Sequence, residues 1–270
     1  MQLSLAHLTA ISLAPADLVR VAARVGFKSV GLRLLKVTPE SPGYPLMNDP
    51  LMLRETKAAL SDTGIGVSDI EFVMITPTLD VGGLRSFLEA GSALGASNVI
   101  VAPYDPDRER LADRYAALCE LASDYSMRVM MEFFPWAEIK NLADAHAFVN
   151  GVDQPNSGIL VDTLHFARSG GTFEELMMLN PAKMPFVHIS DAPAAHPQTL
   201  EGLLFQAREE RLPPGQGGLD LKGFLKHLPP QVMLALEVPM AAYTKRQGLE
   251  ASIQCVYDAM TKMISEIRQS

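Results

Sequence analysis

Short apolar runs alternate along the chain with longer stretches in which apolar residues recur at helical spacing. The runs are rich in Val, Ile, Leu and Met, as is typical of strands that are buried on both faces. Eight strands are predicted, at residues 3–8, 29–35, 66–75, 98–103, 128–132, 158–162, 186–191 and 232–237. Helices are predicted between and after them, at residues 16–25, 51–62, 80–94, 108–125, 141–152, 172–179, 200–210, 219–228 and 249–268.

This alternation predicts the fold class. Apolar strands that alternate with helices imply a parallel sheet covered by helices. Eight such units in about 250 residues favour a closed barrel over an open, doubly wound sheet. We therefore predict an α/β protein, a (β/α)8 TIM barrel, with a single domain over residues 1–270. In this fold the active site lies at the carboxyl ends of the strands.

Four successive predicted strands each carry one side chain that can bind a metal ion, near the carboxyl end. These side chains are Glu132, Asp162, His188 and Glu237, each preceded by an apolar run. One such residue alone is weak evidence for a metal site, since an Asp at a strand end is more often a turn former or a helix cap. Their recurrence indicates a shared site, because charged side chains are rarely buried without partners. Three carboxylates and one imidazole suit one divalent ion, Mn, Mg, Co or Zn.

Composition and charge exclude few classes of function. The chain is 48% hydrophobic and 20% charged, with a net charge of −8 that disfavours nucleic acid as a partner. Cys119 and Cys255 lie in helical patterns, so we expect buried thiols. No apolar run reaches the ~20 residues of a membrane span, and the first residues lack the features of a signal peptide. We expect a cytoplasmic protein without a membrane partner.

Five segments together resemble a known family. They are Met-Glu-Phe-Phe-Pro-Trp at 131–136, Val-Asp-Thr-Leu-His at 161–165, Val-His-Ile-Ser-Asp at 187–191, Arg-Leu-Pro-Pro-Gly-Gln-Gly at 211–217 and Leu-Glu-Val-Pro at 236–239. The set is similar to the xylose-isomerase-like sugar isomerase/epimerase family. The likeness covers strands five to eight, and the first half of the chain by architecture only. Members of that family are metal-dependent barrels that isomerise, epimerise or dehydrate sugars and polyols; one branch dehydrates dehydroshikimate and another is endonuclease IV.

The resemblance implies roles for individual residues. The four candidate ligands would hold one divalent ion, and His165 and Arg211 would contact substrate oxygens. Arg208, one helical turn earlier, is an alternative match for Arg211. Gln216 departs from the Glu that many relatives have in this loop, which affects the loop but not the metal site.

The ligand chemistry predicts proton transfer. A metal-bound ketone and its neighbouring hydroxyl acidify the carbon between them, and Glu132 and Glu237 can remove and return its proton. The expected function is a metal-dependent isomerase or epimerase of a small keto-sugar or polyol. The alternative is a metal-dependent dehydratase of a keto-polyol such as an inosose or dehydroshikimate, which loses a β-hydroxyl after the same deprotonation.

Several side chains near these strands have two interpretations. His165 is expected in the loop just after the sixth strand, and it is either a substrate ligand or a partner of the metal ligands. Arg211 is either a substrate clamp or a solvated loop charge. Trp136 is the aromatic residue expected to line the pocket. Three further residues on early strands are weaker candidates for the barrel mouth, and one is expected to support the loop after the seventh strand: His7, Arg33, Glu71 and Asp191.

Two other functions receive less support from the sequence. A nuclease of abasic sites would have a three-metal centre with more histidine ligands than this acidic chain offers. A barrel that only binds a ligand would not need the complete set of metal ligands. We therefore expect a small-molecule sugar or polyol partner and no nucleic acid. Barrels of this type often form dimers, so the sequence is compatible with a homo-oligomer.

Overall fold

The structure is a computed structural model that describes residues 1–269, and it confirms the predicted closed barrel. Eight parallel strands are hydrogen-bonded in sequence order, and the last pairs with the first. The strands are β1 Leu3–Leu5, β2 Ser29–Arg33, β3 Gly66–Ile75, β4 Asn98–Pro103, β5 Arg128–Glu132, β6 Ser157–Asp162, β7 Phe186–Ile189 and β8 Met233–Leu236.

Helices follow the strands around the outside of the barrel. They are α1 Pro15–Val25, α2 Pro50–Thr63, α3 Arg85–Ala93, α4 Arg108–Ser123, α5 Leu142–Val152, α6 Thr163–Arg168, α7 Phe173–Met177, α8 Leu200–Arg208, α9 Leu221–Lys226, α10 Ala241–Gln247 and α11 Leu249–Gln269. Within residues 1–269, none of these helices has the length and apolar character that crossing a membrane requires.

The apolar side chains of the later strands divide into two clusters. One lies between strands and helices, and the other fills the barrel interior with Met130, Leu160, Phe186 and Ala235, from β5 to β8. Because side chains alternate between the two faces of a strand, the residue two positions further also faces the interior. Those residues are the four candidate ligands. The alternation of side chains along each strand therefore directs them into the barrel, one layer above the apolar side chains that fill it.

Several elements differ from the prediction; for example, β2 ends at Arg33, β7 ends at Ile189 and α3 begins at Arg85. The first strand ends at Leu5, and His7 begins a short 3-10 helix. The last strand ends at Leu236, so Glu237 lies just beyond it. Helix α10 was not predicted. The prediction that His165 lies in a loop is wrong, because α6 begins directly after β6 and contains it.

Candidate metal centre and active site

Glu132, Asp162, His188 and Glu237 form one buried cluster at the carboxyl end of the barrel. One ligand atom from each lies within 4.8 Å of the others. His188 is central, with Nδ1 at 3.9 Å from Glu132 Oε1, 3.9 Å from Asp162 Oδ2 and 3.5 Å from Glu237 Oε2. All four residues are less than 5% exposed.

The geometry of the cluster fits a divalent ion. The separations are longer than direct hydrogen bonds, but they approach the roughly 3 to 3.5 Å expected between two ligands of an ion with bonds of about 2.1 Å. Both ring nitrogens of His188 are buried and have no hydrogen-bond partner among residues 1–269. An unpaired buried imidazole facing three carboxylates is a donor set that a cation completes.

Burial and crowded charge shift the pKa values of Glu132, His188 and Glu237. Burial, followed by repulsion from Glu237, raises the pKa of Glu132 well above its usual range. Burial disfavours the His188 cation, yet attraction to Glu237 and the other carboxylates raises its pKa to about 10. Burial also opposes ionisation of Glu237, but His188 and Arg211 hold its pKa below the usual range. Such displaced proton affinities are common at functional sites.

Arg211 links two of the four residues. Its Nη1 donates to Asp162 Oδ2 at 2.6 Å, and its Nη2 lies 2.8 Å from Glu237 Oε2. The side chain is 1% exposed, so the interpretation as a solvated loop charge is wrong. Each carboxylate oxygen has two lone pairs, so accepting from Arg211 leaves capacity for a cation. Contact between Arg211 and substrate stays a prediction.

Asp162 caps a helix and also belongs to the candidate metal cluster, so the two interpretations of this residue are compatible. Its Oδ1 accepts from the backbone N–H of Leu164 at 2.7 Å and of His165 at 3.3 Å, which caps α6. Its Oδ2 faces His188 and Arg211. The cap therefore orients the carboxylate of this candidate ligand.

A cavity of about 380 Å³ opens above the cluster, within the usual range for small-molecule sites. Glu132, His165, Arg211, Glu237 and Trp136 all line it. The structure therefore brings the predicted catalytic and substrate-binding residues to one cavity, and their roles stay predictions. Arg208 is exposed at its rim.

His165 lies against an aromatic wall. Its ring packs edge-on to Phe134 and Trp136, with centroids 4.6 and 5.2 Å away. Burial lowers its pKa to about 4, although Asp162 opposes that shift, so the ring is neutral near pH 7. Nε2 lies 4.0 Å from Glu132 Oε1, and Nδ1 is buried without a partner among residues 1–269. A neutral imidazole in this position can exchange hydrogen bonds with a substrate oxygen.

Sequence reasoning missed Tyr104 as a wall residue. It lines the cavity, and its hydroxyl accepts from Trp136 Nε1 at 3.1 Å. The available signal was strand period, because Ile100 and Ala102 are interior residues of β4 and Tyr104 lies two positions further. Of the weaker candidates, Arg33 lines the cavity and forms an ion pair with Glu71. The ring of His7 stacks on Tyr44.

Asp191 holds the loop that follows Arg211. Its carboxylate accepts from the backbone N–H groups of Ala192, Gly215, Gly217 and Leu219, at 2.8 to 3.1 Å.

Asp191→Ala is expected to lower the free energy of unfolding by about 2 to 3 kcal/mol, because four donors lose a charged acceptor. Urea denaturation measures this, with Asp191→Asn as the matched control of intermediate stability. Equal stability of the Ala variant and the wild type would contradict this assignment.

Comparison with curated proteins gives partial matches. Inosose isomerase of Bacillus velezensis is 27% identical over 158 residues, which cover 55% of this chain and 54% of that enzyme. The 3-dehydroshikimate dehydratase of Pseudomonas aeruginosa is 31% identical over 143 residues, which cover 53% of this chain and 22% of that enzyme. The chain thus spans about half the length of the isomerase and less of the dehydratase.

Comparison of folds covers the whole chain. A crystal structure of the IolI protein with a bound zinc atom superposes with a TM-score of 0.80 and 20% identity over 99% of both chains, which shows the shared fold. The family described as xylose isomerase-like TIM barrel matches residues 19–259. This match includes seven of the eight strands, β2 to β8, and both the fold and the five segments agree with it. The chain therefore belongs to the xylose isomerase-like TIM barrel family.

Proposed function

We propose that this chain is a metal-dependent isomerase or epimerase of a small keto-sugar or polyol. The observation that carries the proposal is the position of Glu132 and Glu237, which line one cavity and share a buried cluster with His188 and Asp162. The inosose isomerase relatives support the reaction class, and the zinc atom in the IolI structure supports a metal.

In this proposal the cluster holds one divalent ion, Mn, Mg, Co or Zn, through Glu132, Asp162, His188 and Glu237. When bound, such an ion stabilises negative charge that develops on a substrate oxygen. One of the two glutamates removes the proton from the carbon beside the carbonyl. Return of a proton to the neighbouring carbon gives isomerisation, and return to the opposite face of the same carbon gives epimerisation.

The other cavity residues position the substrate. Neutral His165 hydrogen-bonds a substrate oxygen, and Trp136 forms an apolar wall that limits water near the reacting carbon. The guanidinium of Arg211 has five N–H donors; three donate to Ala207, Asp162 and Ser190, and Nη2 forms an ion pair with Glu237. Donor capacity therefore remains on Nη2 for a substrate oxygen.

A dehydratase is the second candidate, supported by the 31% identity to the dehydroshikimate dehydratase segment. The same proton removal would be followed by departure of a β-hydroxyl. The two reactions differ in product, because an isomerase conserves the mass of its substrate and a dehydratase loses water.

Solvent exchange tests the proposed reaction directly. Mn-loaded protein is incubated in D2O with scyllo-inosose, with a panel of keto-hexoses and with 3-dehydroshikimate. We expect deuterium to enter the carbon beside the carbonyl of an inosose or ketose, seen by proton NMR, and to be absent with Glu132→Gln. An unsaturated product and loss of water would favour the dehydratase. No exchange with any of these compounds, by protein shown to contain metal, would refute both.

A further inference from the structure

Helix α8 has a solvent-exposed face that carries apolar side chains. Leu200 and Phe205 are 56% and 57% exposed, and they are among the few large apolar residues that the structure leaves on the surface. Leu204, beside them on the helix, is partly exposed. A surface groove of about 700 Å³ follows this face, and all the residues that line it belong to the segment 199–209. The rest of the described chain therefore leaves this face open.

The opposite face of α8 holds the helix on the barrel. Gln206 and Ala207 are buried, and Arg168 Nε donates to Gln206 Oε1 at 2.8 Å. The carbonyl of Ala207 accepts from Arg211 Nε at 3.0 Å. The side chain of Thr199 caps the start of the helix. A helix held in this way presents its exposed face in one orientation, which lowers the entropic cost of binding a partner.

The exposed face carries opposite charges at its two ends. Glu201 and Arg208 are both exposed, and neither forms an ion pair with another residue among residues 1–269. They are two helical turns apart, so they share one face of the helix, with Leu204 and Phe205 between them. These charges also suit the helix dipole, but that interaction does not depend on protein concentration.

This pattern is complementary to itself when its direction is reversed. In an antiparallel pair of α8 helices, a two-fold axis between Leu204 and Phe205 places Glu201 of each copy opposite Arg208 of the other. The same axis places Leu204 opposite Phe205, so apolar side chains meet in the centre and charges meet at both ends. A partner with another sequence would need the reversed charge order by coincidence, whereas a second copy of this chain supplies it by symmetry.

We propose that the exposed face of α8 is the interface of a two-fold homodimer. A pair of nine-residue helices buries less than the roughly 800 Å² per partner of a standard interface, so we expect weak association with a micromolar Kd. Arg208 and Glu209 line both the groove and the cavity above the metal cluster, so the interface borders the cavity mouth of each copy. The inference concerns association of the chain and does not depend on the proposed reaction.

Charge reversal at the two ends of the face tests the proposal. Sedimentation velocity of the wild type, from low micromolar to several hundred micromolar protein, is expected to show a reversible monomer–dimer equilibrium without larger species. Salt at about 0.15 M screens the general repulsion between two chains of net charge −8. We expect Glu201→Arg and Arg208→Glu each to raise the Kd by at least about tenfold, because symmetry turns two attractive contacts into repulsive ones.

A mixture of the two variants gives a sharper result. A chain with Glu201→Arg has two bases on the face, and a chain with Arg208→Glu has two acids, so each repels its own kind and attracts the other. We expect a heterodimer whose Kd lies within about threefold of the wild-type value, detected through a fluorescent label on one variant. A change in the helix dipole or in stability does not produce this recovery.

Two further variants complete the test. Phe205→Ser removes the central apolar side chain and is expected to weaken the dimer by at least about tenfold. Glu55→Arg is the matched control, because Glu55 is exposed on α2, and its reversal is expected to change the Kd by less than about twofold. Far-UV circular dichroism reports whether each variant keeps its helices.

Three results would overturn the assignment: a monomeric wild type over the whole concentration range, a dimer that neither reversal weakens, or a mixture of the two reversed variants that stays monomeric. The first would leave the face to a partner of another kind, and the second would place the interface elsewhere on the chain. The measurements need neither metal nor substrate, so their outcome is separate from that of the proposed reaction.

Discussion

His188→Ala is expected to weaken binding of Mn or Zn by more than about 100-fold and to abolish solvent exchange into a substrate. Replacing outer partners of metal ligands already costs 10–100-fold in affinity, so removal of a ligand costs more. His188 Nδ1 faces all three carboxylates at 3.5 to 3.9 Å, and without it those carboxylates repel one another across the gap. Metal content by mass spectrometry and competition with a chromophoric chelator measure the loss.

The control for this substitution is His146→Ala. His146 lies on α5, outside the cluster and the cavity, and its replacement is expected to leave about one ion per chain. Because the alanine also creates a space in the barrel, His188→Gln serves as a volume-matched second variant, and near-UV circular dichroism reports whether each protein keeps its packing. Wild-type metal content in both His188 variants would show that the four residues do not form the site.

Arg211→Met is expected to destabilise the protein by about 3–5 kcal/mol when metal has been removed with a chelator. The substitution leaves His188 as the only cationic partner of Asp162 and Glu237 among the described residues, and buried charge that is only partly compensated is costly. A divalent ion in the cluster would supply positive charge to the same carboxylates. We therefore expect Mn to restore part of the lost stability, measured by urea denaturation with and without the ion.

Arg208→Met is the matched control, because Arg208 lies one turn earlier and is exposed at the cavity rim. An exposed substitution there is expected to change the free energy of unfolding by less than about 0.5 kcal/mol. The comparison also tests which arginine corresponds to the family position. A larger loss in the Arg208 variant than in the Arg211 variant would contradict the role assigned to the buried pair.

The local sequence pattern was sufficient to predict that the four candidate ligands lie close together. Glu132 follows Met130 by two positions, and Glu237 follows Ala235 in the same way, so strand period and parallel closure bring them to one end of the barrel. Parallel neighbours also share a register, which places Asp162 beside His188. No long-range information beyond strand order was needed.

The surroundings of His165 were harder to predict. A strand end followed by Thr-Leu-His was interpreted as a loop, but Asp162 caps a helix at once and remains available to the cluster through its second oxygen. Treating a cap and a ligand as exclusive alternatives caused this error. A carboxylate has two oxygens, and the sequence alone does not show that they face different groups.

The amino-acid sequence alone determined the order of the strands, the parallel closed barrel and the identity of the four cluster residues, because periodicity and burial act over a few neighbouring positions. The pairing of Arg211 with Asp162, the ion pair of Arg33 with Glu71 and the hydrogen bond of Tyr104 with Trp136 emerge only in the folded barrel. Each joins segments tens of residues apart. Arg33 and Glu71 meet through the register of β2 and β3, whereas the other two contacts depend on how loops cross the barrel mouth. The two ion pairs among these contacts neutralise the buried arginines at the cavity.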